Sequence, residues 1–273
     1  MPDRLPVVSF LSDYGLDDEF VGVCKAVILG LAPHVTVVDI THNVAPQDVR
    51  AGSLALVRAV QYLPVGVVLA VVDPGVATDR RTVAVEVEDG FLVGPDNGLL
   101  APAVAMVGGP RRVVSLTSEA HRLDAPGPTF AGRDVMAPAA AYLAAGTPIG
   151  DLGEEIDPAG LVPGIVPLPR DAEDGTLVAD VWWIDRFGNC QLNVGPEELA
   201  ARGVAPGEHL ELRFGDQARM ARWVTAYADA RPSELVVLVD SYGLVSIALD
   251  RASAAAACSL REGATVTVVT RPG

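Results

Sequence analysis

The stretch VVSFLSDYGLDDEFVGVCKAVILGLAPHVTVVDI, residues 7–40, decides the fold class. It starts with a short apolar run at 7–11, continues through an amphipathic stretch at 19–31 and ends in a β-branched run at 35–40. Amphipathic spacing indicates a helix, and short continuous apolar runs indicate strands that are buried on both faces. The stretch therefore predicts a strand, a helix and a second strand, the repeating unit of a parallel sheet covered by helices.

The same rhythm continues through the first half of the chain. Further strands are predicted at 67–72, 82–87, 90–93 and 113–116, and further helices at 48–63, 98–107 and 133–145. We therefore expect an α/β N-terminal domain over residues 1–165, with a mainly parallel central sheet flanked by helices.

The second half has a different pattern. Gly, Pro and acidic residues accumulate around 149–170, which indicates a boundary, and a linker is predicted at 166–176. Beyond it, strands are predicted at 177–184, 210–214, 234–239, 244–249 and 264–270, with short helices at 196–201 and 218–228. Frequent turns and few long helical periods favour a mainly β, barrel-like C-terminal domain over residues 177–273.

Composition narrows the class of function. Of 273 residues, 50% are hydrophobic, enough for a sizeable core, and 35 acidic against 20 basic residues leave a net charge of −15. Nucleic acids and anionic membranes are poor partners for such a chain. The three cysteines form no CxxC pair, and neither a signal segment nor a membrane-spanning run is visible. We therefore expect a cytoplasmic protein with free thiols.

Carboxylates follow two of the predicted strands, where ligands bind in open α/β sheets. Asp13 follows the first strand, and Asp73 follows the strand at 67–72. Each can equally serve a turn or a helix cap. Arg80 lies seven residues after Asp73, so the loop can fold a guanidinium back onto the carboxylate, which would lower the pKa of Asp73. No GxGxxG, GxxxxGK[ST] or GxSxG motif is present.

Two motifs of the second half also lie at strand ends. IDRFGN contains Asp185, Phe187 and Asn189, and DSYG contains Ser241 and Tyr242. Each alone is compatible with a plain hairpin turn. The four histidines show no HxxH spacing, so no metal site is predicted, and surface or capping roles are expected for all four.

Seven motifs in order give the chain a specific resemblance: FLSDYG, VVDITHNVAPQDVR, VVDPGVATDRR, GPDNGLL, TFAGRDVMAP, IDRFGN and DSYG. Together they resemble the S-adenosylmethionine (SAM) hydroxide adenosyltransferases, which hydrolyse SAM to adenosine and methionine and are similar to the fluorinases and chlorinases. The resemblance implies a homotrimer whose site lies between one subunit's N-terminal domain and its neighbour's C-terminal domain. It implies no cofactor and no metal, with SAM as substrate.

The resemblance also implies residue roles. Asp13 would hold the ribose hydroxyls, Phe187 would pack near the adenine and Asn189 would bind its edge. Asp185 would meet the methionine ammonium, with Ser241 and Tyr242 at the methionine end. The hydrolytic members use an Asp–Arg–His set on the attacking water, and Asp73 and Arg80 match its first two positions.

The third catalytic position departs from the family pattern. Where the family has histidine in its TFHGRD motif, this chain has Ala131, which is compatible both with an engineered active-site variant and with natural drift. We therefore expect impaired hydrolysis. Two alternatives stay open: a SAM-dependent halogenase, disfavoured because the Asp73 carboxylate would repel a halide and the 86–92 connection is short, and a protein that binds SAM or adenosine without turning it over.

Overall fold

The computed structural model describes residues 6–269, and this part of the chain divides into two compact units between Ile165 and Val166. The outer ends of the two predicted domains, residues 1–5 and 270–273, lie outside the described residues. Each unit is described below by itself.

The first unit is built on a seven-stranded mixed sheet in the order β2-β1-β3-β5-β4-β6-β7. Its strands are β1 Val7–Ser12, β2 Thr36–Thr41, β3 Gly66–Val71, β4 Thr82–Val87, β5 Gly90–Pro95, β6 Arg112–Ser115 and β7 Glu154–Ile156. Strands β2, β1, β3 and β5 are parallel, whereas β4, β6 and β7 continue the sheet in antiparallel pairs. The predicted parallel sheet is confirmed for the half that carries the candidate site.

Helices cover both faces of this sheet. They are α1 Phe20–Leu31, α2 Val49–Val60, α3 Ala101–Met106 and α4 Ala137–Ala144, with a π-helix at Gly132–Met136 leading into α4. In and just after β3, Val67, Leu69 and Val71 pack with α1 and α4, and the alternate residues Val68, Ala70 and Val72 pack with α2 and α3. Burial on both faces explains why this strand is one continuous apolar run. Short 3₁₀ turns lie at Glu119–His121, Ile149–Leu152 and Pro158–Gly160.

The second unit is a closed β-barrel. Its strands are β8 Arg170–Asp171, β9 Leu177–Ile184, β10 Cys190–Leu192, β11 His209–Phe214, β12 Gln217–Trp223, β13 Leu235–Val239, β14 Val245–Leu249 and β15 Thr265–Val269. They follow the order β10-β14-β13-β12-β11-β15-β9-β8, and pairing of β10 with β9 closes seven of them into a ring. Helices α5 Pro196–Ala200 and α6 Ala254–Cys258 and a 3₁₀ turn at Tyr227–Asp229 complete the unit. The predicted barrel-like fold is confirmed.

One predicted helix is wrong. The stretch 218–228 is largely strand β12, which pairs with β11 through a two-residue turn at Gly215 and Asp216. Gly215 takes a positive φ of 54°, the conformation such tight hairpin turns require. Hairpin pairing overrides the helical tendency of the alanine and arginine residues here. The stretch predicted as a linker contains β8, and the last residue of the strand predicted at 264–270 lies outside the described residues.

No helix among residues 6–269 is long and apolar enough to cross a membrane.

Candidate active site

A cavity of about 770 Å³ opens at the carboxyl ends of β1 and β3. These strands are parallel neighbours with Ser12 beside Val71, so the residues that follow them emerge at the same edge of the sheet. The wall of this cavity includes Asp13, Tyr14, Gln47, Asp73, Phe130 and Ala131. The edge beyond the carboxyl ends of parallel strands is where open α/β sheets bind ligands.

The Asp13 carboxylate is held by the loop that follows β2. Its Oδ2 accepts a hydrogen bond of 2.8 Å from the backbone N–H of Gln47. Gln47 itself has a φ of +67°, which is uncommon for a residue with a side chain, and Asp48 next to it caps α2 by accepting from the Ala51 N–H. Strained backbone of this kind concentrates at functional sites, and here it points a backbone donor at Asp13.

Asp73 and Arg80 form a buried ion pair. Arg80 Nη2 lies 2.5 Å from Asp73 Oδ2, and the two side chains are only 11% and 7% exposed. Arg80 Nη1 also donates to the carbonyl of Arg81, and Asn97 Nδ2 donates to the carbonyl of Val72, just before Asp73. The loop after β3 therefore folds Arg80 back onto Asp73, as predicted. The turn at 94–98, GPDNG, holds the backbone just before Asp73 through Asn97.

The pair leaves hydrogen-bonding capacity unused. Asp73 Oδ1 and Arg80 Nε are buried, and neither meets hydrogen-bond geometry with another residue in the 6–269 range, although the Gly75 N–H is near enough to lower the pKa of Asp73. Buried polar atoms nearly always have a partner, so an unpartnered carboxylate oxygen beside a cavity is a feature that a ligand or water can satisfy.

The expected direction of the Asp73 pKa is wrong. Burial raises the pKa of Asp73 above its ordinary value, the nearby Asp13 carboxylate adds to the rise, and the opposing attraction of Arg80 does not cancel it. The spacing of Asp73 and Arg80 along the chain predicts the ion pair. Only the fold shows that the pair is buried from solvent. Asp73 is accordingly a stronger base than a solvent-exposed aspartate.

Ala131 lies in the cavity wall directly before the π-helix. Three aromatic rings of the same wall, those of Tyr14, Phe20 and Phe130, pack against one another in tilted or edge-to-face geometry, with centroids 5.2–5.7 Å apart. A Cβ at Gly132 would lie 2.0 Å from the Tyr14 hydroxyl oxygen, so any larger residue there would displace the Tyr14 side chain. Position 131 thus contributes a single methyl group to a wall that also contains three aromatic rings.

Sequence reasoning missed the role of His42, for which a surface or capping position was expected. This histidine is 4% exposed; its Nδ1 lies 2.7 Å from Ser12 Oγ and its Nε2 lies 3.1 Å from Asp39 Oδ1. The other oxygen of that carboxylate, Oδ2, pairs with Lys25. Ser12 is completely buried, so this arrangement braces the end of β1 rather than forming a nucleophilic site. The sequence shows only that His42 directly follows the strand predicted at 35–40, and the pairing of that strand with the one ending in Ser12 is visible only in the fold.

The other three histidines do not reach the cavity. His34 and His209 are exposed, as expected, and His121 packs edge-on against Tyr142 with its Nδ1 2.9 Å from Ser118 Oγ. The histidine position of the family motif is therefore not replaced from elsewhere in the described part of the first unit.

The second unit carries the other predicted site residues. Phe187 and Asn189 line a cavity of about 670 Å³, and the Phe187 side chain is 78% exposed. Asp185 holds their loop by accepting from the backbone N–H groups of Phe187 and Asn189 and from Asn189 Nδ2, at 2.8–2.9 Å. Ser241 and Tyr242 lie in a separate exposed turn, where the Tyr242 N–H donates to Asp240.

Comparison with known proteins assigns the chain to a family. The models of the N-terminal and C-terminal domains of SAM hydroxide adenosyltransferase match residues 8–153 and 179–267. The chain belongs to this family. It is similar to an (R)-S-adenosyl-L-methionine hydrolase of Salinispora tropica, with 46% identity over 92% of each chain, and to a fluorinase of Actinopolyspora mzabensis, with 30% identity over 96% of this chain and 97% of that one.

A solved structure has the same fold. The crystal structure of an uncharacterized conserved protein from Thermotoga maritima superposes with a TM-score of 0.89, at 31% identity, over 96% of this chain and 100% of that one. The family resemblance read from the seven motifs is thus confirmed. Within this SAM hydroxide adenosyltransferase, Asp13, Asp73 and Ala131 share one cavity, and Arg80 reaches it through Asp73.

Proposed function

We propose that this protein hydrolyses SAM to adenosine and methionine, with the (R) epimer named in its relatives as the preferred substrate. One observation carries the proposal: two carboxylates, Asp13 and Asp73, face one cavity in a chain of this family, and the second is paired with Arg80. The substrate's sulfonium is a cation, which a cavity with two carboxylates attracts.

The reaction needs an oriented oxygen nucleophile rather than a general acid. Water attacks the ribose C5′, the C5′–S bond breaks, and its electron pair converts the sulfonium into the neutral thioether of methionine. One proton of the water leaves as the C–O bond forms, and the unpartnered Oδ1 of Asp73 accepts it. Arg80 stabilises the negative charge that develops on the oxygen, a contribution that grows in a water-poor site.

Asp13 orients the substrate in this proposal. One of its oxygens accepts from the Gln47 N–H, which leaves lone pairs on both oxygens for the two ribose hydroxyls. Asn189 keeps its amide oxygen and one N–H for the edge of adenine, because its other N–H donates to Asp185. Asp185 already accepts three hydrogen bonds, so it has room for about one more from the methionine ammonium.

The same site disfavours a halogenase. A halide that replaced the attacking water would lie against the Asp73 carboxylate, and like charges at contact are costly in a buried site. The connection between β4 and β5 is also a two-residue turn, Glu88 and Asp89, with no insertion.

Because Ala131 replaces the family histidine, we expect slow hydrolysis. The same replacement is the one feature that favours the second candidate function, binding of SAM without turnover. A residue that positions or deprotonates a nucleophile contributes about 10²–10⁴-fold to rate. Without the family histidine, Asp73 and Arg80 alone act on the water.

The deciding experiment incubates the purified protein with each sulfonium epimer of SAM, in buffers with and without chloride, and resolves the products by chromatography and mass spectrometry. We expect adenosine and methionine at equal amounts, formed faster from the (R) epimer and independently of chloride. A 5′-chlorinated nucleoside would instead identify a halogenase. Intact SAM that stays bound without product would identify a binding protein.

We also propose that the enzyme is a homotrimer in which the second unit of one subunit completes the site of its neighbour. The exposure of Phe187 supports this proposal, because the residue is 78% exposed in the single chain. An exposed large aromatic side chain is typical of a surface that another subunit covers, and adenine could then bind between the Phe187 ring and that subunit. The first unit's cavity holds the carboxylates and the reacting groups, whereas Asn189 lies in the second unit.

Mixed assemblies test this arrangement. Asp73→Asn and Asn189→Ala variants, each inactive alone, are unfolded together, refolded as a mixture and assayed for adenosine release. In a cyclic trimer with shared sites, random mixing restores about a quarter of the parental rate, since each site draws its two halves from different chains. No recovery in the mixture, with size-exclusion and light scattering reporting a trimer, would place both halves of the site in one chain.

A further inference from the structure

A second cavity of about 530 Å³ lies in the first unit and is not used by the mechanism above. Its wall includes Arg80, Arg122, Leu123, Asp124, Ala125 and Asp134. Charged groups of both signs surround it, and some are already partly satisfied: Asp134 pairs with Arg133, and Arg122 donates to the carbonyl of Leu116. The rest of the wall is small or apolar, and it includes Ala77, Pro128 and Val135, so the charged groups supply the hydrogen-bond partners that water would need there.

The two cavities share a thin wall. Pro126, Gly127 and Ala131 line both of them, and all three residues are small. The Asp73–Arg80 ion pair spans the same boundary, because Asp73 lines the first cavity and Arg80 lines the second. The groups proposed to act on the nucleophile therefore lie where the two cavities meet.

The unpartnered atoms of the ion pair agree with this placement. Arg80 Nε is a buried donor and Asp73 Oδ1 a buried acceptor, each without a hydrogen-bond partner among residues 6–269. A water molecule has both a donor and an acceptor to offer, and buried waters typically bridge polar atoms of this kind. Displacement at carbon also requires the nucleophile to approach from the side opposite the leaving group, which separates the route of the water from the space that the methionine occupies.

We propose that the second cavity is the route by which the attacking water reaches the Asp73–Arg80 pair after SAM has filled the first cavity. The inference rests on the proposed function and adds to it the path of the second reactant. When SAM fills the first cavity, the Asp73 carboxylate faces the substrate on one side. On the other side, water reaches it past Arg80 through the second cavity. Blocking this path slows hydrolysis without weakening the binding of SAM.

The test fills the second cavity with an indole ring. Ala125 lines this cavity and not the first, so Ala125→Trp narrows the water path while leaving the carboxylates in place. We expect single-turnover adenosine release to fall about tenfold to a hundredfold, with the Kd for SAM, measured by calorimetry, changed less than about threefold. Ala105→Trp, at an exposed position on α3 that lines neither cavity, is the matched control and keeps the parental rate and Kd.

Each other outcome has a defined meaning. An unchanged rate in a folded Ala125→Trp protein overturns the water route, while the proposed function stands. Loss of SAM binding together with rate also overturns it, because the two cavities would then be one substrate site. If Ala125→Trp fails to fold, Leu123→Trp fills the cavity from another part of its wall and gives the same readout. Absence of adenosine from the parental protein itself counts against the proposed function.

Discussion

Replacing Ala131 by histidine should raise the rate of adenosine release by about 10²–10⁴-fold. Ala131 lines the first cavity together with Asp73 and the second cavity together with Arg80, so we expect an imidazole there to hydrogen-bond the water that Asp73 orients. The measurement is single-turnover product formation, with the Kd for SAM determined separately. We expect the gain in rate with little change in Kd, because the ring acts on the nucleophile.

Two further variants separate chemistry from packing. Ala131→Phe places a ring of similar shape without nitrogen atoms, and it should give no gain. Adding Asp73→Asn to Ala131→His should remove the gain, because the imidazole then has no carboxylate partner on the water. If Ala131→His binds SAM and stays as slow as the parental protein, the Asp–Arg–His hypothesis is wrong for this chain.

The second large effect is expected for Arg80→Met, which removes the guanidinium and keeps an unbranched side chain. Loss of one donor to a developing oxyanion lowers rate by about 10²–10³-fold. The same change leaves Asp73, 7% exposed, without its partner and beside Asp13, so the free energy of unfolding should fall by about 3 kcal/mol at neutral pH. Kinetics and urea unfolding measure the two effects.

The pH dependence of that loss follows from the direction of the pKa shift. Burial already raises the pKa of Asp73, and removing Arg80 raises it further. A carboxyl group whose pKa is higher in the fold than in the unfolded chain favours folding when protonated, so its destabilising effect is complete above the raised pKa and disappears as the pH falls below the ordinary value. The stability deficit of Arg80→Met should therefore shrink in acid.

A double-mutant cycle gives the control. Asp73→Asn combined with Arg80→Met removes both charges, so the unfolding free energy should return to within about 1 kcal/mol of the parental protein, while activity stays lost. A deficit that persists in the double variant, or that does not diminish at low pH, would show that Arg80 stabilises the fold through its alkyl chain and its bond to Arg81 instead.

Local patterns predicted most of the elements. Strands β4 and β9 begin and end where the sequence places them, because a buried strand is a short apolar run bounded by turn residues. The stretch at β12 was predicted as a helix, since its alanine and arginine residues form helices well in isolation and the pairing with β11 is not visible locally. Strand β10, three residues long, lacks any periodic signal and is stabilised by its neighbours β9 and β14.

The site divides in the same way. The sequence by itself determined the two-part α/β and β-barrel fold class, the family, and the candidates Asp13, Asp73 and Arg80, because each follows from order and spacing along the chain. Only the tertiary structure decided the rest: that the Asp73 side chain is buried, that His42 braces Ser12, and that Ala131 lines two cavities. Burial and electrostatics depend on every segment that packs around a group, and those segments are distant in sequence.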